Sequence, residues 1–455
     1  MNPERLVAGL DIGSAKTTAI IAEVVGDLPK HPSIKVLGVG QTRTTGMRRG
    51  VVSDIEETTR SIRKALQDAE RMAGATITDV YTGIAGEHVR AMTSKGIVAV
   101  SNDEIHKPDV DRANEVARAQ AIPQDRELLH AIPQEYTVDK DTGIRDPIGM
   151  SGTRLETEMY LVTIGSSPAI NLRKSVERAG YKVRELVLEP LASALAVLTE
   201  DEKELGVALV EMGAGTTDLA VFHEGKIRHL GTIAFGGNNV TSDIVHGLGV
   251  TQADAERLKE KYGCAYEPLV DPSEIIQLPS TVAQGDRQIP RELLAHIIHQ
   301  RMDEIFDLVQ RDVSSAGFAG KLAAGVVLTG GAAAMQGSAE LASDVFGTGV
   351  RVGTPSEQIG GLSDSVDAPR FATVVGLAQY GAHRIALGGA AASAKRIKLP
   401  SSGGWTSSAK ESSSGCRISS DRSRRRVVVL ARSPHENHKA ASRRVAVENA
   451  TALRV

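Results

Sequence analysis

Two stretches decide the fold: Leu10-Asp11-Ile12-Gly13-Ser14-Ala15-Lys16-Thr17-Thr18 and, later in the chain, Val210-Glu211-Met212-Gly213-Ala214-Gly215-Thr216-Thr217-Asp218. Each copy predicts a strand with an acidic residue near its end, a glycine turn with threonines, and a second strand. A repeated unit of this kind favours two homologous α/β halves that face each other. Because open α/β sheets bind ligands beyond their strand ends, we expect a ligand cleft between the halves.

The repeated glycine turns have the composition of phosphate-binding loops. Glycine has no Cβ, so backbone N–H groups can approach a phosphate closely. The candidate hydroxyl donors are Ser14, Thr17, Thr216 and Thr217. Lys16 is a candidate counter-charge, and Asp11 is a candidate carboxylate for holding water on Mg²⁺. One such loop alone is typical of an ordinary tight turn, but its recurrence favours a ligand site.

A third glycine element follows the apolar run Val326-Val327-Leu328-Thr329, which continues into Gly330-Gly331-Ala332-Ala333-Ala334-Met335. A glycine pair after a strand is compatible with flat packing against adenine and ribose, although alone it is typical of a strand-to-helix turn. The sequence has neither a Walker-type phosphate loop nor a dinucleotide-binding glycine motif in the right context. His296 and His299 have no third ligand in sequence, so we interpret them as part of a helix face rather than a metal site.

Composition restricts the class of protein. With 455 residues, 41% of them hydrophobic, the chain is long enough for about two to four domains. Aromatic residues make up only 3%, which argues against a base-stacking platform for nucleic acid. The two cysteines, Cys264 and Cys416, lie far apart, so we predict a reducing compartment without a disulfide framework. The sequence shows no signal-peptide pattern and no apolar run of about 18 residues, so we expect a cytoplasmic protein.

Charge is distributed unevenly along the chain. In residues 395–455, Lys and Arg outnumber Asp and Glu by 14 to 4, whereas the preceding residues hold 39 basic and 52 acidic side chains. An acidic body is a poor general binder of nucleic acid, so we predict no nucleic-acid partner. The basic C-terminal segment needs a separate explanation.

Two local patterns lead to specific structural expectations. Residues 54–73 predict a helix whose apolar face contains Ile55, Ile62, Ala65, Leu66 and Met72. Residues 89–100 predict two strands around a Lys95-Gly96 turn, within a small domain inserted at residues 85–163.

Five stretches together resemble a known superfamily: residues 9–14, 50–52, 188–193, 235–244 and 328–331. They are similar to the actin/DnaK/sugar-kinase ATPases and, within that superfamily, to the FtsA family of bacterial cell-division proteins. The resemblance covers about residues 5–385. It implies an α/β, two-lobed, actin-like ATPase fold with duplicated cores and an FtsA-type inserted small domain.

The resemblance also implies a division of the chain. The expected parts are residues 1–84 with 164–198 (first core), 85–163 (inserted SHS2-like domain), 199–236 with 325–385 (second core), 237–324 (outer subdomain of the second lobe), 386–404 (flexible linker) and 405–455 (basic tail).

ATP and Mg²⁺ are the cofactors that the resemblance implies. The residues expected to cradle phosphates are Gly13, Ser14, Lys16, Thr17, Gly213, Gly215, Thr216 and Thr217. Those expected around the nucleoside are Gly236, Gly237, Glu256, Lys259, Gly330, Gly331 and Met335. Asp11, Glu189 and Glu211 are expected to position Mg²⁺ or the attacking water. Since Glu211 stands where the family usually has Asp, we predict ATP binding with weak or absent hydrolysis.

The family resemblance implies an adaptor. We expect a protein that polymerises into actin-like filaments and tethers the FtsZ ring to the cytoplasmic face of the membrane at the division site. It would also recruit later divisome membrane proteins. Arg301 and Glu304 resemble contacts for the C-terminal peptide of FtsZ, although an ordinary surface ion pair explains their spacing equally well.

The C-terminal segment does not resemble an FtsA ending. Residues 405–421 lack an apolar face at helical spacing, which is typical of a disordered basic tail. We interpret the segment instead as translated out of frame. Back-translation read from one base before the Trp405 codon permits VDELGKRVKQWLQDFF and a stop codon, a string suited to an amphipathic membrane-surface helix. In the printed frame, attachment would rest on weak polybasic contact with anionic lipid.

Two other functions fit the same superfamily. One is an enzyme, either a sugar-kinase-like phosphotransferase or a DnaK-type ATPase, and the other is a pilus-assembly ATPase-like protein. The run of residues 235–244 and the frame-shifted ending favour FtsA over the pilus protein.

Overall fold

The computed structural model describes residues 5–27, 31–281, 285–355 and 359–388. The strands are β1 (Leu6–Ile12), β2 (Lys16–Asp27), β3 (His31–Arg43), β4 (Met47–Arg48), β5 (Val51–Val52), β6 (Asp79–Ile84), β7 (Arg90–Ala99), β8 (Arg126–Val138), β9 (Asp141–Ile144), β10 (Arg154–Gly165), β11 (Lys182–Leu188), β12 (Val207–Met212), β13 (Thr217–His223), β14 (Lys226–Ile233), β15 (Ile275–Thr281), β16 (Gly285–Pro290), β17 (Val326–Thr329), β18 (Val350–Val352) and β19 (Ile359–Gly361). The α-helices are α1 (Ile55–Ala73), α2 (Lys107–Arg118), α3 (Ser166–Ala179), α4 (Glu189–Val197), α5 (Glu200–Leu205), α6 (Gly237–Leu248), α7 (Gln252–Tyr262), α8 (Arg291–Ser315), α9 (Ser338–Phe346) and α10 (Ala372–Ala386). Of the helices described, none is long and apolar enough to cross a bilayer.

Two sheets share one strand order, which confirms the predicted duplication. The first core sheet has the order β11-β6-β1-β2-β3-β19, and the second has the order β14-β13-β12-β17-β18. In both, three strands form an antiparallel meander, and two more strands add parallel to the first strand of that meander. The two predicted glycine turns are the first hairpin turns of the two sheets, β1–β2 and β12–β13. They therefore hold equivalent positions in the two halves.

Helix α1 follows the first meander and covers one of its faces. The Asp54 carboxylate accepts a hydrogen bond from the Glu57 N–H at 2.9 Å, which satisfies a free donor at the start of the helix. The helix ends at Gly74 in the left-handed conformation. Its buried residues Ile62, Ala65 and Leu66 pack in one hydrophobic cluster with residues of β1 and β2. The helix thereby holds the strands that carry the first glycine turn.

The inserted domain consists of the sheet β7-β10-β8-β9 with α2 packed against β7 and β10. The prediction of two strands around Lys95-Gly96 is wrong, because β7 runs from Arg90 to Ala99 without a turn. Gly96 instead allows α2 to pack closely against β7. A Cβ at this position would lie 2.0 Å from the Ala113 carbonyl oxygen of α2.

Two helices join the halves. Helix α4 follows β11 of the first core sheet, and α10 follows the second core sheet but packs on β1 and β3 of the first. The two helices also pack against each other. One hydrophobic cluster includes Val7 and Ile20 from the first half and Leu209 and Phe222 from the second. The halves therefore share a core.

The outer part of the second lobe is formed by α6, α7, α8 and the β15–β16 hairpin. The long helix α8 buries Met302, Ile305, Phe306 and Val309 against this lobe. The predicted linker from residue 389 onward and the whole predicted tail lie outside the described residues.

Candidate nucleotide-binding site

The two predicted phosphate loops close with the same backbone hydrogen bond. The Gly13 N–H donates to the Lys16 carbonyl at 3.1 Å, and the Gly213 N–H donates to the Thr216 carbonyl at 2.9 Å. The side chain of Lys16 is exposed. Equivalent positions in the two sheets thus have equivalent local geometry.

The loops come from different halves but meet. A Cβ at Gly215 would lie 2.6 Å from the Ser14 hydroxyl oxygen and 3.1 Å from the Arg49 Cα atom. The turn between β4 and β5 also reaches this point, since the Gly50 N–H donates to Ser14 Oγ at 3.4 Å. Only a residue without a side chain lets the two loops approach so closely.

Three of the predicted hydroxyl donors are engaged within the protein. Thr17 Oγ1 lies 2.8 Å from Thr44 Oγ1, and both residues are buried. In the second loop, Thr216 Oγ1 donates to Asp218 at 2.9 Å. Thr217 Oγ1 donates to the Phe235 carbonyl at 2.9 Å. These hydroxyls hold the loops in shape, which leaves backbone N–H groups and Ser14 as the groups suited to a phosphate.

Four carboxyl groups lie close enough to perturb one another. Burial, and next the charge of Glu211, raises the pKa of Asp11 to about 7. Burial, and next the charges of Asp11, Glu211 and Asp218, raises the pKa of Glu189 well above its ordinary value. Burial also raises the pKa of Glu211 to about 7 and that of Asp218 to about 6, although hydroxyl groups that donate to them oppose the shift. Such a cluster favours a bound cation or bound protons.

Direct coordination of a metal is not preformed. Among the described residues, no three His, Cys, Asp or Glu side chains are placed to hold one metal ion together. This finding is compatible with the water-mediated contact to Mg²⁺ that we predicted for Asp11.

Glu211 has partners that the sequence did not reveal. Its Oε2 accepts a hydrogen bond from the Ser193 hydroxyl of α4 at 2.7 Å, and its Oε1 accepts one from the Thr373 hydroxyl of α10. Asp218, the last residue of the second repeat, is not among the predicted site residues. Its carboxylate accepts hydrogen bonds from the hydroxyl groups of Thr216 and Thr232. Asp218 and Ser193 lay within stretches already singled out, whereas nothing in the sequence pointed to Thr373.

The expected nucleoside residues around α6 come together. The Gly237 N–H donates to the Gly213 carbonyl at 3.0 Å, so the start of α6 abuts the second phosphate loop. The Lys259 ammonium group donates to the Gly237 carbonyl at 3.0 Å and to the Glu256 carboxylate at 2.8 Å. Lys259 also donates to Thr241 Oγ1 at 2.8 Å. Gly236, the residue before α6, packs on the same loop.

The glycine pair after β17 lies beside the same loop. A Cβ at Gly330 would lie 2.5 Å from the Met212 carbonyl oxygen, directly before Gly213. Gly331 precedes a short 3-10 helix, Ala332–Ala334, which leads to the half-buried Met335. The residues predicted from three separate stretches therefore surround one end of the second core sheet.

Comparison with known proteins gives the family. The model "Cell division protein FtsA" matches residues 208–376, and the model "SHS2 domain inserted in FTSA" matches residues 86–163. "Cell division protein FtsA" of Pseudomonas aeruginosa is 42% identical over 377 residues, which are 83% of this chain and 89% of that protein. The protein of the same name from Escherichia coli K12 is 39% identical over 408 residues, which are 88% of this chain and 96% of that protein. The chain belongs to the FtsA family.

The solved structures agree at the level of the fold. A chain of the "PilM-PilN type IV pilus biogenesis complex" superposes with a TM-score of 0.59 at 16% identity, over 83% of this chain and 98% of that one. At this identity the likeness shows only the fold. It confirms the predicted actin-like architecture, and the sequence relatives are FtsA proteins.

The two residues that resemble FtsZ contacts in FtsA proteins lie on α8, away from the carboxyl cluster. Arg301 Nε donates to Asp243 of α6 at 2.6 Å, and a second guanidinium nitrogen donates to the same carboxylate at 3.2 Å. The guanidinium group also pairs with Glu304 and lies 5.6 Å from the ring centre of Phe235. Arg301 therefore joins α8 to α6 in addition to forming a surface ion pair. Its partner in that pair, Glu304, is half exposed.

Proposed function

We propose that the chain binds ATP and Mg²⁺ between its lobes and, as a filament, tethers the FtsZ ring to the cytoplasmic face of the membrane. The single observation that carries the nucleotide part is the meeting of two equivalent glycine turns, one from each half, at Gly215 and Ser14. A ligand held by both turns would bridge the lobes.

The residues present fit a nucleotide with its metal ion. Because Gly215 has no Cβ, the second turn lies directly against Ser14 and Arg49 of the first half, so one phosphate chain would be within reach of backbone N–H groups of both turns. Asp11 would supply carboxylate oxygens for a hydrated Mg²⁺ ion. When bound, Mg²⁺ would neutralise phosphate charge. Lys259 and Glu256 would fix the start of α6, against which the nucleoside would pack.

Hydrolysis is proposed to be slow. Glu189 is the residue expected to orient the attacking water, but burial and neighbouring carboxylates raise its pKa well above the ordinary value. Glu211 also stands where the family usually has Asp, and its carboxylate is held by the Ser193 and Thr373 hydroxyls, so it is not free to position that water. ATP would then serve mainly to hold the lobes together, which favours longitudinal contacts between subunits.

The outer subdomain is proposed to bind the C-terminal peptide of FtsZ. Glu304 is half exposed on α8, and Arg301 holds α8 to α6 through Asp243. The inserted domain is proposed to contact later divisome proteins. Polymerisation would gather many weak membrane attachments into a strong one by avidity.

Membrane attachment is proposed to depend on the restored reading frame. Residues 405–455 lie outside the described part of the chain, and their sequence alone supports the restored frame. Re-sequencing the locus decides the matter: an intact printed frame would remove the proposed helix, and a single-base shift before Trp405 would restore it.

Co-sedimentation tests the tether. The printed chain and a chain ending in VDELGKRVKQWLQDFF are mixed with anionic liposomes and with an FtsZ C-terminal peptide, with and without ATP. We expect both chains to bind the peptide and only the restored chain to bind liposomes. Failure of both to bind peptide, with turnover of ATP on a small substrate, would favour the phosphotransferase alternative.

A further inference from the structure

Asp11 and Glu211 occupy equivalent positions in the two halves. Asp11 lies on β1 opposite Thr18 of β2, and Glu211 lies on β12 opposite Asp218 of β13. Each stands two residues before the glycine that opens its phosphate loop. By position alone, the two carboxylates would be expected to serve the nucleotide in the same way.

The surroundings of Glu211 assign it a different task. Both of its oxygens accept hydroxyl hydrogen bonds, from Ser193 of α4 and from Thr373 of α10. These two hydroxyls also lie 3.2 Å from each other. All three residues are at most 8% exposed, so water does not compete for these contacts.

The three side chains lie where the connecting helices cross. A Cβ at Gly376 of α10 would lie 1.8 Å from the Ala192 carbonyl oxygen of α4, so the helices touch through their backbones. Ser193 directly follows Ala192, and Glu189 begins the same helix one turn earlier. A strand from the second half is therefore hydrogen-bonded to both helices at their closest approach.

We propose that Glu211 is a clasp that fixes α4 to α10, and that it is a positioning residue rather than a ligand of the nucleotide's metal ion. Relative motion of the two lobes requires these packed helices to slide past each other. The clasp opposes that sliding and keeps Glu189 in place at the start of α4. This inference refines the proposed nucleotide site and rests on it only for its metal-binding part.

A matched pair of variants separates the clasp from a metal ligand. Asp11→Asn and Glu211→Gln make the same chemical change at the two equivalent positions. In the full chain, the Mg²⁺ concentration that gives half-maximal binding of a fluorescent ATP analogue is measured for each. We expect Asp11→Asn to raise it at least tenfold, and Glu211→Gln, which removes only a neighbouring negative charge, to raise it less than threefold. An equal rise for both variants overturns the proposal.

Hydrogen exchange tests the clasp without nucleotide. Thr373→Val removes the hydroxyl with little change in shape, and Thr373→Ser retains it. We expect amide exchange in α4 and α10 to be at least tenfold faster in Thr373→Val and close to wild type in Thr373→Ser, with α2 of the inserted domain unaffected. Unchanged exchange, or equal acceleration in both variants, contradicts the clasp.

The two measurements also separate this inference from the proposed function. If the wild-type chain binds no ATP, the proposed function fails, and hydrogen exchange alone then decides whether the clasp exists.

Discussion

Lys259 is a nearly buried cation on α7 whose ammonium group connects the two helices beside the second phosphate loop. Its three partners are Gly237, Thr241 and Glu256, and its side chain is 11% exposed. Sequence comparison singled out Lys259, Glu256 and Gly237 as nucleoside residues. The contacts indicate a supporting role, because they fix the start of α6 whether or not a nucleotide is present.

Lys259→Met tests that role. The variant removes the ammonium donor and leaves the Gly237 carbonyl and the Glu256 carboxylate to share the single proton of the Thr241 hydroxyl, so we expect a loss of stability of about 1–3 kcal/mol. We also expect ATP affinity to fall about tenfold, measured by fluorescent-nucleotide titration. Lys261→Met, on the same helix, is the control, since Lys261 contacts only the ring of Tyr262 in the described contacts. Equal effects of both variants would contradict the argument.

Asp218 gives a prediction about pH. Its pKa rises from 3.8 to about 6 on folding because of burial, so between these values the folded chain binds more protons than the unfolded chain. The contribution of Asp218 therefore favours folding at low pH and is lost as the pH rises through about 6.

The test compares melting temperatures of wild type and Asp218→Asn from pH 5 to 7.5, without nucleotide. His88 and His130, whose pKa values fall to about 4 mainly through burial, act in the opposite direction and are common to both proteins. We expect the stability of wild type relative to the variant to decrease with rising pH. A pH-independent difference would refute the assignment.

At the scale of elements, the seam between α6 and α8 connects the proposed peptide site to the nucleotide loop. Arg301 of α8 binds Asp243 of α6 and lies over Phe235, whose carbonyl accepts the Thr217 hydroxyl of the second phosphate loop. The hydrogen bond that Arg301 donates to Asp243 is the main cause that raises the pKa of Arg301. Contiguous contacts thus connect the proposed peptide site with the second phosphate loop.

Arg301→Ala and Glu304→Ala are expected to differ. Loss of Arg301 leaves Asp243 without its partner and should lower stability by about 1–3 kcal/mol as well as weaken FtsZ-peptide binding. Loss of the half-exposed Glu304 should weaken peptide binding with a stability change below about 0.5 kcal/mol. Thermal melting measures the stability of each variant, and titration with the FtsZ peptide measures its binding. If neither variant changes peptide binding, the docking site lies elsewhere.

Gly96 provides a third test at this scale. In Gly96→Ala the added Cβ meets the α2 backbone, so we expect the inserted domain to lose about 1–3 kcal/mol of stability. Gly349→Ala is the control, because nothing lies within 4 Å of a Cβ built there. Hydrogen exchange in α2 would show the local effect, and protection equal to wild type would disprove it.

Elements with strong periodicity were predictable, and those shaped by neighbours were not. The predicted helix at 54–73 is α1, and Ile62, Ala65 and Leu66 are buried as expected. Met72, assigned to the same face, is 57% exposed, and its sulfur accepts a hydrogen bond from the Val39 N–H of β3. The turn at Gly96 was wrongly predicted because a neighbouring element, α2, determines the role of this glycine. The sequence alone does not distinguish a glycine that forms a turn from one that allows a helix to pack closely.

At the scale of the whole molecule, the two-sheet architecture could be predicted from the internal repeat. Two related hairpins predicted two related sheets, and the residues around Gly213, Gly237 and Gly330 come together as expected. The parts that escaped prediction are contacts across the halves. Thr373 lies 162 residues after Glu211 in sequence and donates a hydrogen bond to it, and no local pattern encodes such a contact.

The route of α10 has a consequence for synthesis on the ribosome. This helix packs on β1 and β3, which are made first, yet it is among the last described segments to emerge. At a translation rate of about 5–20 residues per second, the apolar face of the first sheet would remain exposed for on the order of tens of seconds before α10 is made. A nascent chain in this interval should be a client for chaperones. Arrested chains ending before Ala372 should therefore aggregate, whereas chains that include Ala386 should not.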